Sequence, residues 1–153
     1  GAGGGFAAGK KEVIEYLRQK SRTYLFSNSL SPAICQAALY VLKNFSGKMK
    51  KLQKKSAVNT LYFRKKMEDL GFTLAGDGSH PITPVMIFDE KKAQELSSKV
   101  RAGGIYVRAF TYPVVPKGKA RIRVQVSASH SKAQLEKAIK VFEEVGKEMG
   151  VVK

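Results

Sequence analysis

GIYVRAFTYPVVPKGKARIRVQVSASH, residues 104–130, holds the clearest structural pattern in this chain. Arg121, Arg123, Gln125 and Ser127 fall on one side of an extended backbone, and Ile122, Val124, Val126 and Ala128 fall on the other. Alternation with period two and β-branched residues predicts a half-buried strand. Its apolar row can pack on helices, while its polar row must face water or a polar cleft. Arginine carries a planar fork of donors that grips a carboxylate at two points. Both arginines share one face, so the alternation does not separate them, and a solvated strand and an anion-binding cleft both remain open. Just upstream, Tyr112-Pro113-Val114-Val115-Pro116 forms a stiff, apolar, non-helical loop of the kind that can wall a pocket.

The flanks supply packing partners. Ser131 followed by Gln134 is a capping box, and Leu135, Ile139, Phe142, Val145 and Met149 form the stripe of the helix it opens. Further strands are predicted over residues 72–75, 85–88 and 105–110, with a helix over 91–102 stopped by Gly103-Gly104. Several strands with helices mostly on one side make an α+β domain. Toward the start, helices are predicted over residues 10–20, 32–45 and 47–70, the second opened by Ser31 as N-cap and Pro32 at its first position. Gly1–Gly5 reads as a turn entering a short strand.

Composition narrows the class. No apolar run approaches the ~20 residues that span a bilayer, so no membrane partner is expected. The single cysteine, Cys35, allows no internal disulfide and lies in a helical apolar pattern, where it reads as a small buried hydrophobe. His80 and His130 have no cysteine neighbours at metal spacing, so no metal site is expected. The net charge of +16 and the run Lys48–Lys55 invite a nucleic-acid reading. Against it, the basic residues are 21 Lys and 7 Arg, spread over most of the chain without a zinc-finger, RNP or helix-turn-helix signature. Lysine-rich helices more often show a solvated face, and no nucleic-acid partner is expected.

GIYV-x-x-F-x-YPVVP-x-G-x-ARIR-x-Q-x-SA-x-H resembles the C-terminal signature of the α-oxoamine synthases, pyridoxal-phosphate (PLP) enzymes of the aspartate-aminotransferase fold. The resemblance continues through GGGFAAGKKEVIEYLRQKSRTYLFSNSLSPA at the start and HPITPVM in the middle, so it covers essentially the whole chain. It implies an α/β protein of PLP-dependent transferase fold type I. Residues 1–42 would be the tail end of the large PLP-binding domain, and residues 43–153 a small C-terminal α+β domain. In the family, the Schiff-base lysine lies in a T-L-G-K segment just ahead of the run matched by Gly1–Gly5. The resemblance therefore places it upstream of Gly1, leaves no catalytic residue within these 153 residues, and implies a C-terminal portion that is inactive alone.

The match is nearest to the branch that condenses glycine with acetyl-CoA to 2-amino-3-ketobutyrate and CoA. Within that resemblance Arg123, the second arginine of ARIR, binds the amino-acid carboxylate. Ser27 and Asn28 match residues that touch the PLP phosphate of the partner subunit, which implies a homodimer with shared active sites. From the residues alone, the same pair fits loop and capping chemistry equally well. His130 reads as a helix-start residue without assigned chemistry, and Tyr112 and Pro113 as lining of a substrate channel. The family's compartment is the mitochondrial matrix in eukaryotes and the cytoplasm in bacteria. Two other readings stand beside this one. One is a sister synthase making 5-aminolevulinate, 8-amino-7-oxononanoate or a sphingoid base. The other is a non-catalytic basic binding module.

Overall fold

The computed structural model describes residues 3–153 and divides into two compact units, one ending at Met49 and one running from Lys50 to Lys153. The first unit is helical: α1 spans Lys11–Lys20, α2 Arg22–Leu25 and α3 Pro32–Lys43, followed by a π-helical turn over Phe45–Met49. None of α1, α2 and α3 contains a buried residue, and Cys35 on α3 is half-buried rather than enclosed as expected. Ser31 has the extended backbone of an N-cap and Pro32 opens α3, but the Ser31 side chain makes no capping hydrogen bond. The strand expected after the glycine run is not formed. Gly1 lies outside the described residues, and residues 3–10 hold neither helix nor strand. A strand needs a neighbour to take its N–H and C=O groups, and this unit offers only helices.

The second unit carries the strands. Its elements are α4 (Lys50–Asp69), β1 (Thr73–Leu74), β2 (Ile82–Phe88), α5 (Glu90–Ala102), β3 (Arg108–Phe110), β4 (Ala120–Gln125) and α6 (Lys132–Glu148). The strands form an antiparallel sheet in the order β1-β2-β4-β3. α4 and α5 pack on the strands and α6 packs on both helices, giving the expected α+β arrangement. The helix expected over residues 47–70 starts at Lys50, because Gly47 takes a non-helical backbone with φ −99° and ψ −109°.

β2 begins three residues before the expected Val85 and runs through Pro84. Proline reads as a strand boundary because it has no N–H. Here the Pro84 carbonyl accepts from the Ala75 N–H, so the missing donor also faces the β1 side, where β1 has already ended. The Ala75 carbonyl, which would accept from a donor at position 84, accepts from Arg64 Nη1 at 2.9 Å instead. β3 starts at Arg108 rather than Ile105, because the Ile105 N–H turns back to the Val100 carbonyl and closes the end of α5.

The core lies between the sheet and its helices. Val85 and Ile122 are paired across β2 and β4 and fully buried, and Leu96 and Val100 from α5 join them. From α6 come Leu135, Ile139, Phe142 and Val145, the stripe read from the sequence. The capping box is present, with the Gln134 N–H donating to Ser131 Oγ at 3.2 Å and the Ser131 N–H to Gln134 Oε1 at 2.8 Å. This cap fixes where α6 starts and so where the loop before it, Ser127–His130, must end.

Candidate active site

β4 delivers the alternation expected of it. Ile122 and Ala120 are buried, while Arg123 and Gln125 point to the open face. Register then decides what surrounds each polar residue. Arg123 lies between Pro84 on β2 and Arg108 on β3, and Arg121 lies between Met86 and Phe110. A cavity of about 440 Å³ opens on this face, a size suited to a small molecule. Its polar walls are Arg108, Arg123, Gln125, Ser127 and His130, with Tyr106 and Phe110 as aromatic walls.

The structure separates the two arginines that the alternation leaves equivalent. Arg121 donates from Nε to the Lys119 carbonyl at 3.0 Å and does not line the cavity. Arg123 lines it, with its guanidinium carbon 5.7 Å from the Phe110 ring centroid. That distance is within cation–π range, so the ring holds the head in place without using its donors. Among the described residues, no ion pair involves Arg108, Arg121 or Arg123. The fork of Arg123 thus faces a cavity that contains no carboxylate, the arrangement that suits an incoming anion.

One wall is fixed from behind. The Ser127 N–H donates to His130 Nδ1 at 3.1 Å. An accepting Nδ1 carries no proton, so the neutral ring has its proton on Nε2. Asn59 on α4 donates through Nδ2 to the carbonyls of both Ser127 and His130, at 3.0 Å each. Asn59 therefore ties the end of β4 to α4 and sets the position of two cavity-lining residues. Asn59→Ala should cost about 1–2 kcal/mol, since the partly buried His130 carbonyl loses its donor and the Ser127 carbonyl keeps only the His130 N–H. Urea unfolding checks this, and an unshifted midpoint would remove Asn59 from the role.

The other expected site residues are not among those lining this cavity. Ser27 and Asn28 sit between α2 and α3, exposed, in the unit ending at Met49. Neither side chain has a hydrogen-bond partner among the described residues. Tyr112 and Pro113 do not line the cavity. Tyr112 is exposed, with the Lys117 ammonium 5.2 Å from its ring centroid. His80 is used locally, accepting from the Ile82 N–H at 3.1 Å, and among the described residues no group of three His, Cys, Asp or Glu side chains could hold a metal ion. Arg108 is the wall residue that the sequence reading passed over. The strand expected over residues 105–110 already put it on one face with Tyr106 and Phe110, but its position opposite Arg123 depends on register.

The model of the family of class I and II aminotransferases matches residues 1–142. The chain belongs to this family. Curated proteins and solved structures resemble it. It is 48% identical over 152 residues to the 2-amino-3-ketobutyrate coenzyme A ligase of Escherichia coli K12, covering 99% of this chain and 38% of that protein. It is 49% identical to the 8-amino-7-oxononanoate synthase of Petrotoga mobilis, over the same shares of 99% and 38%. Among solved structures, serine palmitoyltransferase from S. paucimobilis with bound PLP-myriocin aldimine matches with a TM-score of 0.80 and 25% identity, over 91% of this chain and 35% of that one. The chain thus spans little more than a third of the length of the relatives it matches. No helix among the described residues is long and apolar enough to cross a membrane.

Proposed function

We propose that the full-length protein containing this chain is a PLP-dependent acyltransferase that condenses glycine with acetyl-CoA to 2-amino-3-ketobutyrate and CoA. The observation that carries the reading is Arg123, the second arginine of ARIR, facing a cavity without a carboxylate on a chain 48% identical to a 2-amino-3-ketobutyrate coenzyme A ligase. PLP, when bound, takes up the electrons left on the substrate as the bond to its α-proton breaks. The chain's own part is binding and orientation. Arg123 holds the glycine carboxylate at two points, which fixes the direction of the Cα–H bond. Phe110 keeps the guanidinium in place while its donors stay free. Ser27 and Asn28 fit a phosphate, since a hydroxyl and an amide are exposed and unpaired among the described residues. They would hold the cofactor of a partner subunit in a homodimer with shared sites. The lysine that anchors PLP would lie upstream of Gly1, so residues 1–153 alone would not turn over.

The 49% identity to an 8-amino-7-oxononanoate synthase supports a second reading, a sister enzyme using another amino acid and a longer acyl-CoA. One assay separates them. Full-length protein is given glycine and acetyl-CoA, and CoA release is followed by thiol titration beside an absorbance band near ~420 nm that borohydride removes. Release that requires both substrates supports the first reading. A PLP band with release only from longer acyl-CoA thioesters supports the second. Absence of the band sinks both.

A further inference from the structure

The cleft that holds Arg123 is polarised from end to end. Its two guanidiniums belong to one end, because Arg108 pairs with Arg123 across β3 and β4. The Arg123 head lies against Phe110, which pairs with Arg121 and so stands on the side away from Gln125. In the other direction along β4, Gln125 comes two residues, roughly 7 Å, beyond Arg123. Ser127 and His130 follow it on the same wall. The hydrogen bonds at this second end show which groups are free. Ser127 Oγ is taken up by Ser129, whose N–H donates to it at 3.2 Å and whose hydroxyl lies 2.8 Å away. The half-buried His130 ring is held through Nδ1 by the Ser127 N–H, so its remaining polar group is the Nε2–H on the far side of the ring. Among the described residues, Nε2 has no partner, yet it is not sealed in, since Thr83 Oγ1 is the one fully buried side-chain N or O without a hydrogen bond. His130 lines the cavity, and this donor opens into it. The exposed Gln125 amide is also unpaired among the described residues. The free set is therefore one N–H donor and one amide, with no carboxylate and no guanidinium beside them.

We propose that His130 and Gln125 bind the amide-bearing pantetheine arm of the acyl thioester, His130 donating its Nε2–H to an amide carbonyl and Gln125 Oε1 accepting an amide N–H. Glycine is spent at Arg123 and fills a small part of the 440 Å³ cavity. The other proposed substrate brings a neutral thioester followed by a chain of amides, and these need hydrogen-bond partners without counter-charge. The donor is set in advance. Nδ1 fixes the ring and Asn59 holds the His130 carbonyl at 3.0 Å, so little ordering remains to be done on binding. The assignment rests on the acyltransferase reading proposed above, and the experiment keeps their failures apart.

Steady-state kinetics of the full-length protein, with acetyl-CoA and glycine varied in turn, test this. His130→Asn sets an amide oxygen where Nδ1 stands, so it keeps the Ser127 contact and removes the Nε2–H. It should raise KM for acetyl-CoA by ~3- to 10-fold, the range of one neutral hydrogen bond, with kcat and the KM for glycine little changed. His130→Gln, which reaches the Nε2 position with an amide N–H, should recover part of the loss. Gln125→Leu, at an exposed position, should raise the same KM by a similar factor without disturbing the Ser127–His130 hydrogen bond. Acetylpantetheine, which has both amides and no nucleotide, should show the same factors. KM for acetyl-CoA unmoved in both His130→Asn and Gln125→Leu overturns the assignment and leaves the proposed function intact. A loss seen with acetyl-CoA but not with acetylpantetheine also overturns it, because these residues would then be meeting the nucleotide. A wild type that turns over no acyl-CoA thioester overturns the acyltransferase reading, and this assignment with it.

Discussion

Replacing Arg123 with alanine in the full-length protein should cut kcat/KM for glycine by about 30- to 1000-fold, the loss of a charge-assisted bidentate contact of ~2–4 kcal/mol. Glycine has no side chain, so its carboxylate is the one large handle available for orienting Cα. Losing that handle removes affinity, and it also removes the alignment needed before the proton can leave, so kcat should fall along with the rise in KM. Arg121→Ala is the matched control. Arg121 lies on the same strand face two residues away, but it is spent on the Lys119 carbonyl and lies outside the cavity. Its removal should change kcat/KM by no more than about threefold, the range of a solvated surface change. Arg123 is exposed, so its alanine variant should unfold at nearly the wild-type midpoint, and lost turnover cannot then be blamed on lost fold. A near-normal kcat/KM for Arg123→Ala, or equal losses in the two variants, would take Arg123 out of the substrate site.

The contrast between these arginines also marks how far the sequence can be read. Alternation along ARIRVQV depends on one backbone geometry, so the inward row, with Ile122 and Val126 buried and Val124 half-buried between them, and the polar row opposite were legible from one strand alone. What faces Arg121 and Arg123 was not, because it is set by pairing with β2 and β3, and a one-residue slip in register would change every neighbour. Arg108 was passed over for the same reason. Arginine on a strand is ordinary, and it becomes informative only once it is seen opposite another arginine. The α6 cap and stripe were legible because Ser131, Gln134 and the apolar spacing act within a few residues of one another. The short helix at Arg22–Leu25 was not, since four residues give no period to detect. Arg123, Ser27 and Asn28 entered through a family motif rather than through spacing. Of these, Arg123 faces a cavity within its own unit, whereas Ser27 and Asn28 belong to the unit ending at Met49.

Phe142→Ala should destabilise the unit from Lys50 onward by about 3–5 kcal/mol, the usual cost of emptying a fully buried aromatic site. The Phe142 side chain is 0% exposed. It meets Phe63 of α4 edge-on at 6.4 Å between ring centroids, and Phe72 just beyond α4 at 6.0 Å. Such pairs add ~0.5–1.5 kcal/mol beyond burial alone, so the loss falls on packing that α4 and α6 share. The site cannot easily collapse to fill the void. Phe72 already packs against Gly146, where an added Cβ would meet its ring at 2.6 Å, so there is no slack on that side. With a urea slope of ~1–3 kcal/mol per molar, the midpoint followed by far-ultraviolet circular dichroism should fall by about 1 M or more. Phe142→Leu keeps an apolar side chain in the site and should fall less. The cavity face should register the same change at a distance, because Asn59, which holds the Ser127 and His130 carbonyls, rides on α4. If α4 loosens from α6, the loop before α6 loses its anchor and the orientation of Gln125, Ser127 and His130 relative to Arg123 is no longer set. An unshifted midpoint in Phe142→Ala would mean that the aromatic cluster does not join these helices, and the account of how the cleft is held would fall with it.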